Sequence, residues 1–403
     1  MPRALFLSPE TPYPAIGGGP LRSASLLEYL AARFAVHAIV FREPGSPDPR
    51  ETMPAGLVER LDIVDLPFHS KGTFARSLRN ISRLARRAPP LIDRFSGFTA
   101  PLDAYLAGNE YEFAVVEHFW CAPYVRQIRP HSRHVILDLH NIESLWHASL
   151  AVRETPARAI ALRRFAAAAR QLERELLPEF DVLLVTSTLE ADRLRRIAAH
   201  PNVTIYPNAL PEIPKPSRAE CEEIVFSGNL EYQPNIEAIR YFKDAIWTRL
   251  RSRPELKWRI IGKNPGFVRD LVANDPRIET LGFVEDAVAV LAESQVAVVP
   301  ILSGSGTRVK IVEAWAAGTP VVATPMGAEG LNFQEGEHLV TAATPDRFAE
   351  AVGRLLDSPE ERRRVGSAGR KLYEQCYTWP SAWENLQELF GNRPASQESN
   401  PRT

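Results

Sequence analysis

Short apolar runs alternate with longer amphipathic stretches along most of this chain. The first run, ALFLS (4–8), precedes LRSASLLEYLAARF, in which Leu26, Leu27, Leu30 and Phe34 share one helical face. VHAIVF (36–41), VERLDIVDLP, FAVVEHF (113–119), HVILDLHN (134–141) and DVLLVTS (181–187) read as further buried strands, and NVTIYPNAL closes the half. An Arg- and Ala-rich helical region covers roughly 152–178 and TLEADRLRRIAA forms another helix. Strands alternating with helices predict a doubly wound parallel sheet.

The pattern then restarts. PEIPKPSRAE (211–220) places three prolines within six residues and reads as a linker. Beyond it EIVFSGNL (223–230), LKWRIIGKNP, IETLGF, QVAVVP and VVAT alternate with helices and predict a second sheet. From about 346 the chain becomes helical, with a last helix in TWPSAWENLQELF before a polar tail. The expected division is 1–210, a linker at 211–220, 221–377, a crossover helix at 378–391 and a disordered tail at 392–403.

Composition narrows the classes. Apolar content of 45% and charged content of 24% are those of a globular protein, and a net charge of −1 gives no field for nucleic acid. Cys121, Cys221 and Cys376 are scattered without CxxC spacing, which suggests a reducing compartment and no zinc site. ALFL is too short for a secretory core, and no run approaches the roughly 18 apolar residues of a membrane span. The expectation is a cytoplasmic protein.

The most informative stretch is GSGTRVKIVEAWAAGTPVVAT (304–324). A Gly-rich turn enters a helix near Val309, which ends at Gly318-Thr319-Pro320. Arg308 and Lys310 flank the helix start, where the dipole disfavours cations, so an anion bound there would account for them. Glu313 follows one turn later. This segment resembles the donor site of retaining GT-B glycosyltransferases of family four, the glycosyl transferases group 1. The resemblance runs from the GGG loop to Trp383 through VTSTLEADRL, IYPNAL, IIGKNP and GFVEDAVAVLAESQVAVVP.

The resemblance implies an α/β GT-B fold: two Rossmann-like domains facing a cleft, with the C-terminal helix crossing back to the first. It implies transfer of a sugar from a nucleoside diphosphate-sugar to a glycan or glycolipid acceptor, with retention and without metal or other cofactor. Glu313 matches the family's ribose-binding Glu. The first Glu of the motif falls on Ser305, which with Thr307 retains hydroxyl donors beside Gly304 and Gly306. The family's Arg and Lys early in the second domain fall on Asn229 and Pro234 of GNLEYQPN, so Arg308 and Lys310 are the substitute cations. Base contacts are expected near Gly262–Pro265 and Phe283–Asp286.

In the first half, Gly17, Gly18 and Gly19 precede a helix and let a backbone approach a ligand closely; the resemblance implies that this loop closes over the donor diphosphate. His140, at a strand end in LDLHNIES, is the catalytic histidine that the resemblance implies. Asn141 and Glu143 are candidates to orient it or face the acceptor, and His118 is a weaker candidate. His118 and His140 are 22 positions apart, not at ligand spacing from each other, and no D-x-D occurs, so no metal ligand is assigned. A dinucleotide fingerprint is the rival for the GGG loop, with Glu43 as its ribose acid, but Arg22 stands where its third Gly belongs. A nucleotide-sugar epimerase and a non-catalytic sugar-nucleotide binder remain alternative functions. Finally, residues 71–94 carry seven basic residues and one acid, with Phe74, Leu78, Ile81 and Leu84 on one face. Such a segment either lies on anionic lipid or packs its stripe inward, and inward packing is the expected case.

Overall fold

The computed structural model describes residues 1–391 apart from 71, 153, 218–220 and 305–307. The tail at 392–403, the linker residues 218–220 and the donor-loop candidates Ser305, Gly306 and Thr307 lie outside the described residues. The chain forms two compact units, Met1–Pro207 with Trp383 onward, and Asn208–Ala382.

The first unit is built on seven parallel strands: β1 Arg3–Ser8, β2 Ala35–Arg42, β3 Arg60–Asp65, β4 Tyr111–Glu117, β5 Ser132–Asp138, β6 Val182–Val185 and β7 Val203–Ile205. Their order is β3-β2-β1-β4-β5-β6-β7. The apolar centre of β1, Ala4 to Leu7, is fully buried, as a strand covered on both faces must be. The order reverses between β1 and β4, so the chain segments leaving those two strands open a ligand crevice at the carboxyl edge. The Gly17–Gly19 loop leaves β1, and His118 leaves β4.

The second unit repeats the plan with six strands: β8 Cys221–Ser227, β9 Lys257–Ile261, β10 Ile278–Gly282, β11 Ser294–Val299, β12 Val321–Ala323 and β13 Val340–Thr341. The order is β10-β9-β8-β11-β12-β13, with its switch point between β8 and β11. Gly228 leaves β8 and Gly304 leaves β11, so both flank that point. The two-residue β13 carries too little pattern to be read from sequence. Residues 211–217 are not free: Tyr373 donates to the Pro211 carbonyl at 2.6 Å, and Arg370 to that of Ile213 at 2.7 Å.

The expected single helix at the C-terminus is two, Trp379–Glu384 and Gln387–Phe390. Trp383 donates its indole N–H to the Ser25 carbonyl at 3.1 Å, and Phe390 packs against Tyr29 and Phe113 at 5.6 and 4.9 Å between centroids. No helix among the described residues is long and apolar enough to cross a membrane.

The helix Val309–Ala317 is fixed from behind. Trp315 is fully buried and donates to the His338 carbonyl at 2.9 Å, and its ring lies against Gly369 on the helix Pro359–Cys376. A methyl at Gly369 would overlap that ring. Gly369→Ala should therefore destabilise the second unit by about 1–3 kcal/mol despite alanine's better helix propensity. Thermal unfolding measures this, and an unchanged or raised midpoint would show that the Trp315 contact does not constrain the helix.

Candidate active site

Among the described residues, each unit brings candidate site side chains together at its switch point. In the second unit, β8 ends at Ser227 and turns through Gly228, whose φ of +152° suits glycine. A Cβ at Gly228 would lie 2.8 Å from the Lys310 ammonium and 2.8 Å from the Asn235 amide. The missing side chain is what lets Lys310 reach the strand end. Its Nζ donates to Asn235 Oδ1 at 2.8 Å and sits 4.1 Å from the centre of the Phe226 ring. Asn235 in turn donates to the Asn229 carbonyl at 2.7 Å. The Lys310 ammonium thus arrives beside the residue that follows Pro234, where the sequence lacks a cation.

Glu313 lies one turn along the same helix and accepts from Ser227 Oγ at 3.3 Å. Burial pushes its carboxyl up, and Lys310 and the Ser227 hydroxyl oppose this. Burial, reinforced by the Arg308 charge and offset by Glu313, lowers Lys310 to about 7. Arg308 is buried at the N-cap, where its guanidinium donates to the Ser303 carbonyl at 3.3 Å. Gly304 has a φ of +97°, and a Cβ there would lie 3.4 Å from the same guanidinium. Asn229 is turned into its own loop, accepting from the Glu231 N–H at 3.1 Å. The geometry brings Lys310, Glu313, Arg308 and Gly304 to one helix start, with Asn229 acting through Asn235.

In the first unit, Gly17 takes a φ of +94° and caps the helix Gly18–Ala31, which has no side-chain cap and no acid in its first turn. Its leading N–H groups are suited to an anion. His140 is buried just past the end of β5. Its Nε2 lies 2.8 Å from Glu117 Oε2 and 3.3 Å from Asp138 Oδ2. Arg22 grips Asp138 through two bonds of 2.5 and 2.7 Å. Sequence reasoning missed Glu117, Asp138 and Arg22 as a group. Their signal was a charge at the end of each apolar strand, FAVVE and VILD, and an Arg on a buried helical face.

Glu143 neither orients His140 nor stands open to an acceptor. It is buried and accepts from the Trp120 indole at 3.1 Å. Glu43, the ribose acid of the dinucleotide alternative, is taken by Arg94 through bonds of 2.5 and 3.0 Å. His118, out of ligand spacing in sequence, does meet a partner: its ring stacks on His140 at 3.5 Å between centroids. Glu117, His118 and His140 form a group whose ligand atoms lie within 4.8 Å of one another. Face-to-face rings hold their in-plane lone pairs in near-parallel planes, a poor fit to converging on one ion.

Residues 221–358 match the family described as Glycosyl transferases group 1. The match lies within the second unit. The segment covers Gly228, Asn235, Gly304, Arg308, Lys310 and Glu313. Among curated members of similar sequence, the MMP alpha-(1->4)-mannosyltransferase of Mycolicibacterium hassiacum is 42% identical over 100 residues, 24% of each chain. The D-inositol 3-phosphate glycosyltransferase of Corynebacterium diphtheriae is 25% identical over 331 residues, 72% of this chain and 75% of the relative. This chain therefore aligns with about a quarter of the first relative's length and three quarters of the second's. Its fold resembles the sucrose-phosphate synthase of Thermosynechococcus elongatus, with a TM-score of 0.71, 18% identity and coverage of 96% and 98% of the two chains. That likeness extends the GT-B fold over both units.

Proposed function

We propose that the protein transfers a sugar from a nucleoside diphosphate-sugar to a glycan or glycolipid acceptor, with retention and without a metal ion. The carrying observation is the joint placement of Arg308, Lys310 and Glu313 at the start of one helix in the family segment. Departure of a nucleoside diphosphate develops negative charge, and preplaced cations stabilise it as a metal ion would. Arg308 and Lys310 meet the diphosphate in this reading, and Glu313 accepts from the ribose hydroxyls. Gly304 keeps the backbone close to the guanidinium. Ser305, Gly306 and Thr307 complete the donor loop, and Asn229 holds Asn235 against Lys310. In the first unit, Gly17, Gly18 and Gly19 offer N–H groups to an anion, and His140 serves the reacting sugar or the acceptor.

The test is product analysis with a panel of nucleotide sugars and glycan acceptors. A new glycoside is expected, in the presence of EDTA as in its absence. An epimerised donor would instead indicate an epimerase, and binding without turnover a non-catalytic binder. Glu313→Gln should weaken nucleoside diphosphate binding about tenfold or more, the worth of a charge-assisted hydrogen bond of ~1.5–3 kcal/mol. Unchanged affinity would remove Glu313 from the ribose, and loss of activity in EDTA restored by magnesium would remove the metal-free reading.

Peripheral contact with the inner face of a membrane belongs to the same proposal, and the exposure of the basic helix supports it. On Thr73–Arg86, Phe74, Leu78 and Ile81 are 77%, 53% and 64% exposed and only Leu84 is half-buried, so three of the stripe's four residues do not pack inward as the sequence suggested. Arg76 and Arg87 are exposed beside it, whereas Arg83 is buried and bonded to Asp93 at 2.8 Å. Apolar side chains ringed by arginines suit an anionic lipid surface. Arg76→Glu with Arg87→Glu should cut sedimentation with phosphatidylglycerol-containing vesicles and spare nucleotide binding, at ~1 kcal/mol per basic residue. Equal sedimentation of the unmodified protein with neutral and anionic vesicles would sink the membrane contact.

A further inference from the structure

Glu117 and Asp138 are register partners on the adjacent parallel strands β4 and β5, and both are fully buried. Two carboxylates side by side in low dielectric are costly unless each is compensated. Arg22, from the helix Gly18–Ala31, supplies one permanent positive charge and spends it on Asp138. Among the described residues no Arg or Lys is hydrogen-bonded to Glu117: Ser23 Oγ donates to its Oε2 at 2.6 Å, and its Oε1 has no hydrogen-bond partner there. One negative charge is left over. The remaining ionisable group that touches both acids is His140, whose Nε2 lies between them.

The other groups around His140 do not compete for the role. His118 stacks on it from one side and Trp120 stacks on His118 at 4.2 Å. Burial first, then the charge of His140, hold His118 well below its ordinary range, so it stays neutral. Glu10, on the loop after β1, is half-buried and lies 3.9 Å from His118 Nε2. For His140 itself burial lowers the pKa, but the hydrogen bonds and charges of Asp138 and Glu117 outweigh it and bring the value to about 9. Nδ1 of His140 makes no hydrogen bond among the described residues. It lies 4.0 Å from where a Cβ on Gly19 would be, and Glu10 Oε1 lies 2.8 Å from the same point, so the Gly19 backbone and the Glu10 carboxylate border that side of the ring.

We propose that Glu117 and Asp138 are positioning residues that hold His140 as an imidazolium, making its Nδ1–H a fixed hydrogen-bond donor to a ligand oxygen beside the Gly17–Gly19 loop. The proposal rests on the transferase reading only for what that ligand is. A ring whose two nitrogens both carry protons accepts none, so His140 is not the base for an acceptor hydroxyl. It favours ligand oxygens rich in electrons, a sugar hydroxyl or a phosphoryl group. The opposite arrangement, a proton on Glu117 and a neutral ring, would leave Nδ1 free to act as a base.

The deciding measurement is a pH titration of the ligand-free protein labelled with nitrogen-15 in its nine histidines, with His140→Gln assigning the signal. Both ring nitrogens of His140 should report protonation at neutral pH and titrate together near the value above. Glu117→Gln should lower that midpoint by about one unit or more, and move the alkaline limb of the kcat/KM profile the same way. If that variant does not fold, the unmodified protein still decides. An unprotonated Nδ1 at neutral pH would overturn the proposal, as would a folded Glu117→Gln whose His140 midpoint is unmoved. Because the titration needs no donor, a failed transferase reading would leave its outcome standing.

Discussion

The second unit's site depends on one partly buried ammonium. Lys310 comes off a helix start, where the dipole disfavours it, and Arg308 sits two residues away. Burial and that neighbour bring its proton affinity down to about 7, and Glu313 limits the fall. Such a group is close to losing its charge in the absence of an anion and would be strongly favoured as a cation in its presence. Gly228, Asn235 and Phe226 make the position reachable, and the fold behind them, through Trp315 and Gly369, keeps the helix in place. The same reasoning explains why glycine stands at Gly228: a side chain there would occupy the space of the ammonium.

The first unit solves the converse problem. There an excess of buried carboxylate, Glu117 and Asp138, demands cations, and Arg22 and His140 meet it. One cluster is short of negative charge and the other balances its own, and each lies at the switch point of its sheet. A doubly wound sheet places strand ends and helix starts at that edge, and helix starts lacking acids, as at Gly18, are receptive to anions.

Much of this was legible in sequence because parallel strands write themselves as apolar runs. Nearly every strand fell within a run, and the run at 304–324 marked the helix that carries Lys310 and Glu313. What was hidden is what depends on distance between strands. Glu117 and Asp138 are 21 positions apart, and only the register of β4 on β5 makes them neighbours. His118 and His140 stack for the same reason, although their spacing argued against any meeting. Asn235 gave no sign of its part until Lys310 was seen to lie on it. The stripe Phe74, Leu78, Ile81 was visible, but periodicity reports a face and not what covers it. The C-terminal helix was legible as apolar content, not as two pieces.

The central claim is that the Lys310 cluster receives the diphosphate of a nucleotide. In the free protein Lys310 titrates near 7, and an anion beside it raises that value. Binding must therefore take up protons at pH values between the free and bound midpoints, and the uptake must fade on the acid side, where Lys310 is already charged. Calorimetric titration of a nucleoside diphosphate at about pH 8, in two buffers of different ionisation enthalpy, counts those protons. The account predicts uptake approaching one proton, lost in Lys310→Met. Tight binding with no proton uptake, or with uptake unchanged in Lys310→Met, would contradict it.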